Sequence, residues 1–354
     1  MTSLETRFET GFGRACTARG AAPGRVNLIG EHIDYNGGTV LPTALKNKTD
    51  VAIAPNGTDL LQIMSDRYTG AFARPADSLA NGHWSDYIAG SVAKARELGW
   101  ADGGFDIMVE SNVPSGGVSS SAALCTALLR ALMQHAGAEM DAVTLAQHAR
   151  AVENDYLGVP CGIMDQMAVG LSDYGEALAL NTKTLQTEVI PIPESWRFSV
   201  MHSGVQRRLL DGRYEARFEE CAQAAKLLRV AHLCDAPLQT DLPDALAART
   251  RHVVSEHQRT LQAIEAMKRD DFAAFGALMN ESHRSYSGDF EASTPEIDAL
   301  LSDARSLGAQ GARLTGGGFG GCVVLLIGRG REAMLNAALQ ALHPKVSLVS
   351  GPLS

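Results

Sequence analysis

Apolar and polar positions follow two rhythms along this chain, and the change falls near its middle. In the first half, short apolar runs at 51–54, 60–64 and 105–109 sit between polar or glycine-bearing stretches and predict strands. A helix is predicted over Ser120–His135, because it opens in a serine run suited to N-capping and stops before Gly137. Another is predicted over 144–157, closed by Gly158 and Pro160. The runs at 177–180 and 198–201 predict strands again. Beyond them the period lengthens towards 3.6, with Phe218, Cys221, Ala225 and Leu228 on one face of a helix predicted over 214–232. Further helices are predicted near 244–268, 271–284 and 295–307, then a buried strand over 322–327 and a last helix over 332–342. The chain's 354 residues favour two domains, 1–190 and 191–354, parted around Pro191 and Pro193.

Composition changes this picture little. An apolar share of 45% with 20% charged residues is that of an ordinary globular protein. A net charge of −9 argues against general binding to nucleic acid or to a membrane surface, since both are anionic. The six cysteines, Cys16, Cys125, Cys161, Cys221, Cys234 and Cys322, form no CxxC pair, and several lie in apolar runs, so they are expected to be reduced thiols. The start, Met1-Thr-Ser-Leu-Glu-Thr-Arg7, lacks the basic and apolar parts of a signal peptide, and no apolar run is long enough to span a bilayer. A cytoplasmic location is the expectation. Three Asn-x-Ser/Thr matches, at Asn47, Asn56 and Asn280, are then chance.

Four segments carry chemistry. The first is Ala22-Pro-Gly-Arg-Val-Asn-Leu-Ile-Gly-Glu-His-Ile-Asp-Tyr-Asn-Gly-Gly38, which sets Arg25, Glu31, His32, Asp34 and Asn36 among small and apolar residues. That is hydrogen-bonding equipment for a polyhydroxylated ligand beside one cation. The second is Val113-Pro-Ser-Gly-Gly-Val-Ser-Ser-Ser-Ala-Ala123, a glycine and serine loop entering a helix. Unpaired amides at a helix start, the helix dipole and the serine hydroxyls suit a phosphate and its magnesium ion. It is not a Walker A loop, because no Gly-Lys-Ser/Thr follows.

The third is Leu314-Thr-Gly-Gly-Gly-Phe-Gly-Gly-Cys322, whose glycines formally satisfy G-x-G-x-x-G but lead into a predicted strand, the wrong context for a dinucleotide fold. Its glycines predict either backbone packed against something bulky or a tight turn. The fourth is Val159-Pro-Cys-Gly-Ile-Met-Asp-Gln166, where Asp165 stands among apolar and small residues and needs a partner. Arg25 is a candidate counter-charge, and Glu153, on the preceding helix, a candidate metal ligand. The other histidines show no metal-binding spacing and are read as surface or packing residues, with His32 set apart by its neighbours. Trp84 and Tyr87, at i and i+3, are read as packing residues.

Taken together, these segments resemble the galactokinase family of GHMP small-molecule kinases. Residues 24–38 match the family's sugar signature, 114–123 its ATP-phosphate loop and 314–322 its C-terminal glycine motif, in the family's order. The resemblance implies a two-domain GHMP kinase fold, with an N-terminal α/β domain like domain 2 of ribosomal protein S5 and a C-terminal ferredoxin-like α+β domain. It implies MgATP and D-galactose as substrates, and ADP and α-D-galactose 1-phosphate as products, the entry step of galactose catabolism. It implies a soluble enzyme without nucleic-acid or membrane partners, taken here as a monomer.

By position, the resemblance makes Arg25 and Asp165 the catalytic pair. It assigns Glu31, His32, Asp34, Gly162, Asp165 and Tyr214 to the sugar. Gly116, Gly117, Ser119, Ser120, Ser121 and Ala122 fall to ATP, and Ser121 and Glu153 to Mg2+. Tyr214 is placed through the looser pair of matches His202-Ser-Gly-Val-Gln-Arg-Arg208 and Arg213-Tyr-Glu-Ala-Arg217. The chain departs from the family in its phosphate loop, which is one residue short and has Val118 where leucine is usual. Relatives with a defective loop include sugar sensors that do not phosphorylate, so a non-enzymatic galactose and ATP sensor is the alternative class. A same-family kinase for N-acetylgalactosamine or arabinose is the other alternative.

Overall fold

The structure is a computed structural model that describes residues 3–114, 116–206 and 212–353, with side chains to residue 350. Its contacts gather into two compact units that are not consecutive halves. One comprises Met1–Gly24, Lys46–Ser115 and Ser119–Leu171; the other comprises Arg25–Leu45, Gly116–Val118 and Ser172–Ser354. The sugar-like signature from Arg25 onward and the loop residues Gly116–Val118 group with the C-terminal half.

In the first unit, the strand Phe105–Ser111 pairs antiparallel with the later part of Pro42–Pro55, from Thr49↔Ser111 to Pro55↔Phe105. On its other side it runs parallel to Leu60–Ser65, which pairs antiparallel with Tyr68–Pro75. Ile53, Ile63 and Ile107 are buried at 0–1% exposure, so the short apolar runs at 51–54, 60–64 and 105–109 are strand cores as predicted. The run at 51–54 is only the end of a 14-residue strand whose polar stretch, Lys46-Asn-Lys-Thr-Asp50, hides it from an apolar search. The helices Asp86–Glu97, Ser120–His135, Ala142–Ala151 and Met164–Leu171 pack on one another. Ala142–Ala151 runs on into a π-helical turn, Val152–Tyr156, where the helix predicted over 144–157 loosens its ladder.

The start of Ser120–His135 differs from the serine N-cap the sequence predicts. Ser119 occupies the cap position in left-handed backbone, φ 59° and ψ 45°, and its side chain makes no capping bond. A cap oxygen accepts an amide hydrogen from β-region backbone, and the left-handed turn at Ser119 instead aims its hydroxyl at Asp165, to which it donates. Asp271 and Thr294, at the heads of other helices, do accept the expected amide bonds.

In the second unit, four antiparallel strands lie in the order Gly311–Leu314, Cys322–Gly328, Trp196–His202, Ser347–Leu353. Cys322–Gly328 lies between two neighbours and is buried along all but its last residue, which explains its unbroken apolar sequence. The helices Arg213–Leu228, Asp244–Lys268, Phe272–Gly288, Pro295–Ser306 and Glu332–Leu342 belong to this unit. Arg213–Leu228 stops four residues before the predicted 232, because Arg229 turns left-handed (φ 56°) and its amide closes on Ala225 and Lys226 carbonyls. Trp196, fully buried, packs edge-on against Phe275 with ring centroids 5.1 Å apart. All six cysteines are free thiols, as expected. Among the described residues no helix is long and apolar enough to cross a membrane.

Candidate active site

The second unit holds the signature segment. It leaves the strand Ala18–Asn27 and folds back through a turn in which Asn36 and Gly38 amides donate to the Ile33 carbonyl. Glu31, at 1% exposure, is buried, with three donors on one oxygen. Its Oε1 accepts from Arg313 Nη1 at 3.1 Å, Thr315 Oγ1 at 2.8 Å and Gly316 N at 3.0 Å. Arg313, fully buried, links this acid to a second, Glu256, which also accepts from Gly30 N, Ser282 Oγ and Arg259 Nε. Burial alone would raise the Glu256 carboxyl, but Arg259 and Arg313 bring it down to about 2. Glu256 is thus ionised, and both acids are internally paired.

His32 stands in left-handed backbone, φ 60°, with both ring nitrogens engaged: Nδ1 lies 2.7 Å from Tyr35 Oη and Nε2 lies 3.0 Å from Tyr286 Oη. The Tyr286 hydroxyl donates to the Gly316 carbonyl at 2.7 Å, so it accepts from His32. That assigns the proton of a neutral His32 to Nε2 and leaves Nδ1 to accept from Tyr35. Asp34 remains half-buried, as does Tyr214 at the head of Arg213–Leu228. The Tyr214 ring lies 5.3 Å from that of His32 and 6.4 Å from that of Tyr35, so this unit gathers His32, Asp34 and Tyr214. Of the match that suggested Tyr214, Arg207 and Arg208 lie outside the described residues.

Arg25 connects this segment to the loop glycines. Its Nη1 donates to the Gly117 carbonyl at 2.8 Å and its amide donates to Val118 O. The guanidinium is buried at 4% exposure, and its charge opposes the burial that pushes the Cys322 thiol up to about 12. The C-terminal glycine motif packs on the same loop. A Cβ on Gly316 would lie 3.2 Å from Gly117 O, and one on Gly318 would lie 2.7 Å from Ala292 O and 2.8 Å from Tyr286 Oη. The bulky neighbour of these glycines is therefore the protein's own backbone. The run enters the strand Cys322–Gly328 and no helix, which removes the dinucleotide reading.

The first unit holds the other half of the predicted chemistry. Asp165 lies in the first turn of Met164–Leu171, half-buried, and its Oδ2 accepts from Ser119 Oγ at 2.6 Å. The turn before it, with buried Gly162, is tied down by Arg150 Nε donating to Cys161 O and by Cys161 N donating to Asn154 Oδ1. Ser120 and Ser121 are half-buried and Ala122 fully buried in the first turn of Ser120–His135, a start that the Ser119 side chain does not cap. Gly116 is exposed and Gly117 half-buried; Ser115 lies outside the described residues. Glu153 is buried on the π-helical turn, and its charge adds to the burial that raises the Tyr87 phenol to about 12.

Ser121 and Glu153 offer a hydroxyl and a carboxylate, and the described residues hold no cluster of three or more His, Cys, Asp or Glu side chains able to bind a metal. That donor chemistry fits Mg2+, which keeps several waters and takes few protein ligands when phosphates complete its shell. Trp84 stacks on Tyr68 with ring centroids 4.5 Å apart, half-buried and not in the core. The sequence reading missed Arg313, Glu256, Thr315 and Tyr286, which hold the signature. Arg313 gave one signal: a lone arginine directly before Leu314-Thr-Gly.

Comparison with known proteins agrees with this geometry. Residues 6–55 match the galactokinase galactose-binding signature, 86–173 the GHMP kinases N terminal domain and 263–343 the GHMP kinases C terminal domain. The fold superposes on Lactococcus lactis galactokinase complexed with galactose at a TM-score of 0.91 and 29% identity, covering 99% of this chain and 98% of that one. Methanococcus jannaschii mevalonate kinase matches at 0.69 and 18% identity over 91% of this chain and 94% of that one. L. major mevalonate kinase in complex with R-mevalonate matches at 0.69 and 19% identity over 96% of both chains. The two mevalonate kinases speak for the fold alone.

Proposed function

Because the chain belongs to the galactokinases of the GHMP kinase family, we propose that it transfers the γ-phosphoryl group of ATP to the anomeric hydroxyl of D-galactose. The products are α-D-galactose 1-phosphate and ADP. The observation that carries this reading is the bond from Arg25 to the Gly117 carbonyl, which joins the sugar signature to the phosphate loop. The loop makes that bond although it is one residue short, which favours the enzyme over the sensor.

Phosphoryl transfer asks for positioning and charge stabilisation more than for covalent help. The uncapped amides at Ser120, Ser121 and Ala122, with Gly116 and Gly117, cradle the phosphates. Arg25 stabilises negative charge on the transferred group. Asp165 accepts the proton of the anomeric hydroxyl, or orients that hydroxyl until its proton leaves. Ser121 and Glu153 would hold Mg2+, which neutralises phosphate charge when bound. Galactose is read by Glu31, His32, Asp34, Gly162, Asp165 and Tyr214, with the half-buried Asp34 and Tyr214 meeting the hydroxyls that separate it from glucose. A wrong epimer leaves such acceptors unpaired and is rejected for that reason. The same reading places a monomeric enzyme in the cytoplasm, its modules parted near residue 190, without nucleic-acid or membrane partners.

The test is ADP release with a sugar panel. Galactose should give the highest kcat/KM. Faster turnover with N-acetylgalactosamine or arabinose would move the substrate within the family, and galactose binding without ADP release would make the protein a sensor.

A further inference from the structure

Ser119 combines two features that ordinary loop residues do not share. It is a non-glycine residue in left-handed backbone, at φ 59° and ψ 45°, where a side chain is rarely stable without compensation. It is also the residue at a helix start whose hydroxyl ought to cap that helix, and it does not. Both departures have one result. The hydroxyl, on a residue only 8% exposed, reaches Asp165 Oδ2 at 2.6 Å. That is the short distance of a charge-assisted O–H···O⁻ bond.

We propose that Ser119 is a positioning residue for Asp165 and not a ligand of the nucleotide phosphates. Fixing one carboxylate oxygen fixes the plane of the group and therefore the direction of the other oxygen. Asp165 begins a helix after a Gly-Ile-Met turn, and the bond favours one of the staggered rotamers open to its side chain. The left-handed backbone is the means by which the loop turns Ser119, first of the run 119–121, inward to the acid while Ser120 and Ser121, half-buried, stay at the helix start. The three serines of that run thus divide their work. The inference rests on the reading of Asp165 as the group that handles the sugar hydroxyl.

Two variants of the full-length protein test it, assayed with MgATP and galactose. Ser119→Gly removes the hydroxyl and relaxes the backbone; Ser119→Ala removes the hydroxyl and keeps the strain. Both should lower kcat by about tenfold to a hundredfold, the scale of a small misplacement, with the KM for ATP within about twofold of wild type. The glycine variant should melt no lower than wild type, which separates lost positioning from lost folding. A raised KM for ATP with kcat unchanged would make Ser119 a phosphate ligand and overturn the inference. Recovery of kcat in the glycine but not the alanine variant would assign the effect to backbone strain and overturn it too. If wild type fails to turn galactose over, the functional reading itself falls and takes this role with it; an active wild type with an active glycine variant removes this role alone.

Discussion

Glu31 and Asp165 are both acids that the family resemblance assigns to the sugar, yet their surroundings differ in kind. Glu31 is at 1% exposure, with three donors on one oxygen and a fully buried arginine behind it. Asp165 is half-buried in a helix's first turn and is held through one oxygen by a serine in left-handed backbone. A carboxylate whose one oxygen is so paired is pinned in place, because moving it means breaking an internal ion-pair network. A half-buried carboxylate can still be reached by a substrate proton. Damage on the Glu31 side should therefore appear as lost stability, and damage on the Asp165 side as lost turnover.

The largest stability effect is expected from Arg313→Leu. It leaves Glu31 and Glu256 buried without their shared cation and should cost about 3–5 kcal/mol in urea unfolding. A loss below about 1 kcal/mol would show that the network is dispensable.

Acid should attack the same region. Burial lowers His252 and His283 to about 4, so both are neutral in the fold, and His283 meets Asp298 as a hydrogen-bond donor at neutral pH. Their ordinary value is 6.5, so between pH 6.5 and 4 the unfolded chain binds protons that the folded chain does not. Stability then falls as pH drops through this window, by up to about 3 kcal/mol for each imidazole. Glu256, held at about 2 in the fold, extends the loss below its ordinary 4.5. Unfolding free energy that stays level from pH 7 to 4.5 would contradict this.

Gly318→Ala sharpens the comparison from the glycine motif. Its Cβ would meet Ala292 O at 2.7 Å, in backbone of φ 80°, and should cost about 2 kcal/mol as a lowered melting temperature. A variant that melts with wild type would return this motif to a ligand-facing role.

How much of this was legible depends on how local each signal is. The helix Ser120–His135 and the strand Cys322–Gly328 follow from their own residues, a serine run and Gly137 in one case and an unbroken apolar stretch in the other. The strand Ala18–Asn27 and the helix Asp86–Glu97 were missed. Small and polar residues blur the first, and the second was read only through Trp84 and Tyr87. In the site, residue types announced the sugar signature and the loop. The supporting shell was silent, because Glu256 and Arg259 on a long helix look like a solvated i, i+3 pair until Arg313 arrives from a distant strand. The third glycine motif was ambiguous for a related reason. Its partners, Gly117, Tyr286 and Ala292, lie far away in sequence.

The account is tested most directly by turnover of Asp165→Asn with saturating ATP and galactose, read beside its urea unfolding curve. The prediction is a kcat reduced about 100- to 10,000-fold with an unfolding midpoint equal to wild type. A variant that phosphorylates galactose at close to the wild-type rate would contradict the account, whatever its stability.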